Sequence, residues 1–208
     1  MAESQGVQQI EIIDEKEAAI VEAARKTFLA KGFEGASMDA IALTANVSKR
    51  TVYNRFRSKE ELFAAAIMET CRRLVPADVD DIEANLAPPE FIRQMAQQFI
   101  RGILTPEALA LRRIATFEAT RKPELGSTYL DHGPRWMAKS YAPILERLTA
   151  RGALKIEDAK TAIWQLGALI TEPLYTEALL GETPPDLEAA IDRQVESGLK
   201  AFWKIYGA

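Results

Sequence analysis

Cysteine and histidine are almost missing from this chain. One of each, Cys71 and His132, occurs in 208 residues. A single thiol excludes an intramolecular disulfide and any thiolate metal cluster, which suits a reducing compartment. No Gly-x-Ser-x-Gly, no His-Glu-x-x-His and no phosphate-cradling glycine loop is present, so the usual catalytic constellations are absent and no cofactor or metal is expected. No run approaches the ~20 apolar residues of a membrane span. Residues 1–13 lack the basic-then-apolar pattern of a signal peptide and read as a disordered tail, so a cytoplasmic location is expected. Alternating strand patterns and Asn-Gly hairpin signals are also missing, which leaves helices: the reading is all-α.

What the chain does have is charge concentrated in one place. Ala40 to Lys59 carries five basic side chains and no acidic one, in a protein whose net charge is −4. Distance screens the rest, because the Debye length is about 8 Å at physiological salt, and distant acids barely weaken a local basic patch. Residues 1–75 hold 11 basic and 11 acidic residues, so the whole net negative charge falls on the remainder. That larger part is unsuited to DNA, whereas the basic window suits it.

The window also has the local signals of two short helices around a tight turn. Ser37 is an N-cap for a helix whose Met38, Ile41, Ala42 and Ala45 fall on one apolar stripe. Asn46 tolerates the left-handed backbone a sharp corner needs. Ser48 caps the next helix, in which Val52 and Phe56 form an inward i, i+4 pair. Lys49, Arg50, Thr51, Tyr53 and Asn54 are left outside, the side-chain types that reach base edges and phosphates. An ordinary basic hairpin with a solvated face has the same charge; the agreement of caps, turn and outward polar set favours a helix-turn-helix.

These residues resemble the TetR-type transcriptional regulators. The likeness lies in Lys31-Gly32-Phe33, Ser37 to Ala42, Ala45-Asn46-Val47-Ser48, Thr51-Val52-Tyr53, Phe56 and Ser58 to Phe63. Asn46 stands where members of that family commonly have glycine, a mild departure since both accept the turn; Arg50 stands where many have glycine and adds a long charged side chain to the DNA-facing helix, so base preference cannot be borrowed from other members. Leu111 to Ala119 followed by Pro123-Glu124-Leu125 is similar to an AefR-like C-terminal domain. The resemblance implies a helix-turn-helix domain at 14–58, a connecting helix at 59–75 and a larger helical ligand-binding and dimerisation domain at 76–208. It implies a dimeric regulator of double-stranded DNA, a repressor released by a small, largely apolar effector. Ser37, Ser48, Lys49, Arg50, Thr51, Tyr53, Asn54 and Lys59 would face DNA, with Thr51, Tyr53 and Lys59 on phosphates. A regulator that activates, or whose second domain only dimerises, fits the same motifs.

Beyond the connecting helix, whose 17 residues would span about 25 Å, residues 76–89 with the Pro88-Pro89 pair read as a joint. Helices are expected near 90–104, 107–121, 134–151, 157–180 and 186–206. Leu187, Ile191, Val195, Leu199, Phe202 and Tyr206 form a stripe that fits a dimer interface or an internal core face equally. Gly198 in mid-helix points to a close backbone approach. Leu166 and Ile170 on the preceding helix, with Val195, Gly198, Leu199 and Phe202, are the candidate interface of a four-helix bundle. Met95, Phe99, Phe117, Trp136, Tyr141 and Trp164 fall on helices that the resemblance implies around a small-molecule cavity; each fits a plain core role as well. His132, before Gly133-Pro134, sits in a loop-like setting at the rim of the core.

Overall fold

Residues 14–76 and 78–208 are described by a computed structural model; the tail expected at 1–13 lies outside them. The Asp14 carboxylate accepts the Glu17 amide at 2.9 Å and starts α1 (Glu15–Gly35). Gly32, with φ of +70°, breaks the helical backbone near the end of α1, and one further turn follows. Next come α2 (Met38–Thr44), α3 (Lys49–Arg55) and α4 (Lys59–Arg72). At the start of α4, Ser58 Oγ accepts the Glu61 amide at 3.2 Å and the Glu61 carboxylate reaches back to the Arg57 amide at 2.6 Å. This reciprocal cap satisfies two donors that a helix start otherwise leaves orphaned.

The chain divides into two compact units at Ala66/Ile67, inside α4. In the first, Phe28, Phe33 and Phe63 meet with ring centroids 5.3 to 5.8 Å apart, one pair stacked and two edge-to-face. All three rings are fully buried, and each contributes roughly 2 kcal/mol by leaving water. Ile20, Ala24, Ile41, Val52 and Leu62 complete this core.

The second unit contains the rest of α4, then α5 (Val79–Asn85), α6 (Pro88–Ile103), α7 (Pro106–Glu118), α8 (Pro123–His132), α9 (Pro134–Ala150), α10 (Ala159–Thr171), α11 (Leu174–Leu180) and α12 (Leu187–Tyr206). Three expectations are corrected here. The connecting helix stops at Arg72 and not at residue 75: the Leu74 and Val75 amides close on the Cys71 and Arg72 carbonyls three residues back, a tightened turn that leads into Pro76. The joint at 76–89 holds α5, whose buried Glu83 is clasped by Arg147 at 2.5 Å and Arg151 at 3.2 Å. The helix expected over 157–180 is two helices, since Pro173 has no amide to give to the Leu169 carbonyl four residues back. The Gln194 side-chain amide donates to that carbonyl instead, at 2.9 Å.

α12 runs back along α10 at this point. A Cβ on Gly198 would lie 2.4 Å from the Leu169 carbonyl oxygen, so the close approach foreseen for this glycine is made within one chain. Leu166, Ile170, Val195, Leu199 and Phe202 are likewise buried in the protomer's own core. The candidate interface is corrected accordingly: these residues fill the inside of the bundle and present nothing to a second copy. α6 is tied to the other flank of α12 by Arg93 with Glu196, Gln97 with Asp192 and Arg101 with Glu188, an antiparallel ladder stepping four residues on each helix.

Gly198→Ala should therefore destabilise the protein by about 2 kcal/mol in urea unfolding, through overpacking against unyielding backbone. In an exposed helix the same change would add about 1 kcal/mol. A neutral or stabilising result would show that α10 and α12 are not in close contact here.

Candidate DNA-contacting face and ligand cavity

The corner between α2 and α3 is built from four backbone choices. Ser37 Oγ accepts the Ala40 amide at 3.1 Å and Ser48 Oγ accepts the Thr51 amide at 3.0 Å, so both serines act as caps. Asn46 takes φ of +54°, and the Val47 amide closes on the Ala42 carbonyl at 3.1 Å. Met38, Ile41, Ala42 and Val52 point inward and are buried. Lys49, Arg50, Tyr53 and Asn54 are exposed on one short helix. Thr51 is half-buried, its hydroxyl 2.8 Å from that of Ser48.

The five cations of the basic window are not equivalent. Arg55 is turned onto Asp14 and Glu17 at the start of α1. Lys59 donates to the Ala36 carbonyl at 3.2 Å, with its ammonium 4.4 Å from the centre of the Phe33 ring. It is part of the frame of the unit, a departure from the free phosphate contact expected of it. Lys49 pairs with Asp39 across the turn, though both remain exposed. Among the described residues Arg50 and Arg57 have no ion-pair partner. Arg57, which the sequence pattern did not single out, lies just past α3 and is exposed. Leu43 at the end of α2 is 84% exposed and was also passed over, because its place off the apolar stripe marks it only as a surface residue.

The second unit encloses a cavity of about 360 Å³, within the range of small-molecule sites. Met95, Phe99, Tyr141 and Trp164 line it, as expected of them. Phe117 and Trp136 do not. Phe117 is 59% exposed with Arg121 over its ring, and Trp136 packs on the outside of the core. Periodicity alone cannot say which side of a helix meets the void. His132 is half-buried at the end of α8 and is not part of the lining, although Gly133 and Pro134 after it are.

Sequence reasoning missed the polar part of the lining, namely Cys71, Arg112, Tyr129, Glu172 and Tyr175. The one signal was Arg112, a charge between the inward Leu111 and Ala115. Burial pushes the Cys71 thiol up to about 12, so it stays protonated and inert, and burial likewise raises the tyrosines 129, 141 and 175. Tyr141 donates its hydroxyl to the Leu74 carbonyl at 2.9 Å, joining the cavity wall to the turn that ends α4. Leu74 in turn nests on Gly102 of α6, where a Cβ would collide with it.

Comparison with known proteins gives the same division. Residues 20–66 match the model of bacterial regulatory proteins of the tetR family, and residues 90–208 match that of the AefR-like transcriptional repressor, C-terminal domain. A putative TetR-family regulator from Mesorhizobium loti superimposes with a TM-score of 0.78 at 29% identity, covering 95% of this chain and 99% of that one. The flavonoid-responsive regulator FrrA gives a TM-score of 0.73 at 34% identity, covering 92% and 97%. UidR of Escherichia coli is 32% identical over 111 residues, 52% of this chain and 54% of its own length, so the match spans only about half of that curated relative. Among the described residues no helix is long and apolar enough to cross a membrane. Regulators of this family bind DNA and act as dimers, and they are not enzymes. With a family model matching more than half of it and a helix-turn-helix in the expected geometry, the chain belongs to the TetR family of DNA-binding transcriptional regulators.

Proposed function

We propose that this protein is a dimeric repressor released from a two-fold operator by a small, largely apolar effector. One observation carries the reading. The amino-terminal half of α4 places Leu62, Phe63 and Ala66 in the core of the helix-turn-helix unit, and its carboxy-terminal half places Cys71, with Leu74 in the turn beyond, on the wall of the cavity. A ligand that repositions Tyr141 or Leu74 bears on the end of the helix that helps to frame α3. To move the population from 1:99 to 99:1 it must favour the non-binding state by about 5.5 kcal/mol. FrrA is a flavonoid-responsive regulator, which supports small-molecule control in a protein of like fold. An activating or ligand-independent regulator is the competing reading.

On DNA, Lys49, Arg50 and Asn54 would read bases, while Thr51 and Tyr53 would set register on phosphates. The capping serines 37 and 48 would hold the two helices in place at the backbone. Lys59 would act through the frame. Two such units on one operator need recognition helices about 34 to 36 Å apart. The pairing surface we assign is the outward strip of α10 and α12, where Trp164 is 50% and Ile205 60% exposed beside exposed Gln165, Ala168 and Lys204. Aromatic and aliphatic side chains left open on adjacent helices are the expected core of such a contact.

Two substitutions test this. Arg50→Ala should leave the unfolding curve unchanged, since the side chain anchors nothing in its own unit, yet weaken operator binding and reduce the slope of log affinity against log salt by up to about 1. An unchanged affinity would remove Arg50 from the interface. Ile205→Glu should convert the dimer to monomer in sedimentation while the circular dichroism spectrum is preserved; a dimer that persists would place the contact elsewhere.

A further inference from the structure

Two of the hydroxyls on the cavity wall are already spent, Tyr141 on the Leu74 carbonyl and Thr171 on the Gly167 carbonyl, which singles out the place where α7, α8 and α11 meet in the cavity. There the Arg112 guanidinium lies 5.1 Å from the centre of the Tyr129 ring, and Tyr129 and Tyr175 both line the cavity beside it. Arg112 Nε is shut off from solvent without a hydrogen-bond partner, and among the described residues Arg112 forms no ion pair. The neighbouring charges are committed elsewhere. Arg113 donates to the Ala178 and Leu179 carbonyls at 2.7 and 2.8 Å, and Glu172, exposed at the cavity edge, accepts the Thr176 hydroxyl at 2.6 Å.

A half-buried guanidinium on a cavity wall, its Nε sealed from water and no ion pair made among the described residues, is open to a counter-charge from a molecule in the cavity, because charge drawn away from water is ordinarily neutralised. Its planar donors match a carboxylate in shape. We infer that the effector is an organic carboxylate with an apolar body, its carboxylate taken by Arg112 with a tyrosine hydroxyl donating beside it, and its body lying against Met95, Phe99 and Trp164. This inference rests on the effector-controlled reading above and specifies the chemistry of the effector.

Matched pairs of probes decide it: decanoate against 1-decanol, and 4-phenylbutyrate against 4-phenylbutan-1-ol, titrated into the full-length protein by calorimetry and tryptophan fluorescence. At least one acid is expected to bind tenfold or more tightly than its alcohol. Arg112→Gln should erase that preference while changing the affinity of the alcohol less than threefold. Tyr175→Phe, which removes only a hydroxyl, should weaken the acid several-fold and leave the affinity of the alcohol and the circular dichroism spectrum unchanged. Without ligand, Arg112→Met should melt no lower than the parent, since the charge it removes is unpaired. Equal binding of acid and alcohol, an acid preference that survives in Arg112→Gln, or no binding of any probe at millimolar concentration would overturn the inference. The two proposals separate in a DNA-binding assay run with the same probes. Acid and alcohol that bind equally and both displace the operator would leave effector control standing and refute the anion site. A tenfold preference for the acid with no effect on DNA would do the reverse.

Discussion

The approach of α12 to α10 at Gly198 is the constraint on which the carboxy-terminal unit rests. Backbone meets backbone there, with room for a hydrogen atom and not for a methyl group. The approach coincides with the carbonyl that Pro173 leaves without a partner, and Gln194 on the incoming helix supplies the missing donor. One proline, one glycine and one glutamine thus settle three things together: where α10 ends, how near α12 comes, and how the exposed polar group is satisfied. With Leu166, Ile170, Val195, Leu199 and Phe202 interlocked beside this point, α12 backs α10, and α10 forms one side of a cavity whose other walls come from α4, α6, α7, α8, α9 and α11.

The two units put their charges to different uses. In the first, the sequence shows a block of five cations, and the fold sorts them. Arg55 and Lys59 brace the domain, Lys49 is shared with Asp39, and Arg50 and Arg57 remain outward. Counting basic residues therefore overstates the charge available to a polyanion. In the second, Arg147 and Arg151 hold the buried Glu83, and Arg112 turns a cation toward the large cavity.

Most of the helix-turn-helix was legible in the sequence, because its signals are local. Ser37, Asn46 and Ser48 dictate caps and a corner through their own backbones, and Met38, Ile41 and Val52 declare the inner face by spacing. The bundle was less legible. α5 is only seven residues between prolines and reads as a joint, since its anchor, Glu83, is held by arginines some 64 residues away in the chain. α8 was missed for its brevity and for Gly126. The stripe on α12 was visible, but whether its partner belongs to the same chain or to another is a three-dimensional question that periodicity cannot answer. The cavity divided the aromatic candidates for the same reason: Phe99 and Tyr141 meet it, whereas Phe117 faces solvent. Arg112, its most telling group, looks in sequence like one half of an ordinary Arg-Arg pair.

The ladder from Arg93, Gln97 and Arg101 to Glu196, Asp192 and Glu188 writes the alignment of α6 and α12 a second time, in polar contacts, over a register already written in carbon. Its two ionic rungs, at Arg93 and Arg101, are open to solvent, so salt weakens this second copy at small cost, about 1 kcal/mol or less per pair, and leaves the first intact. Ionic strength can accordingly be varied widely as an experimental coordinate for this protein. What it changes will be the grip on a polyelectrolyte and not the integrity of the body that carries the grip.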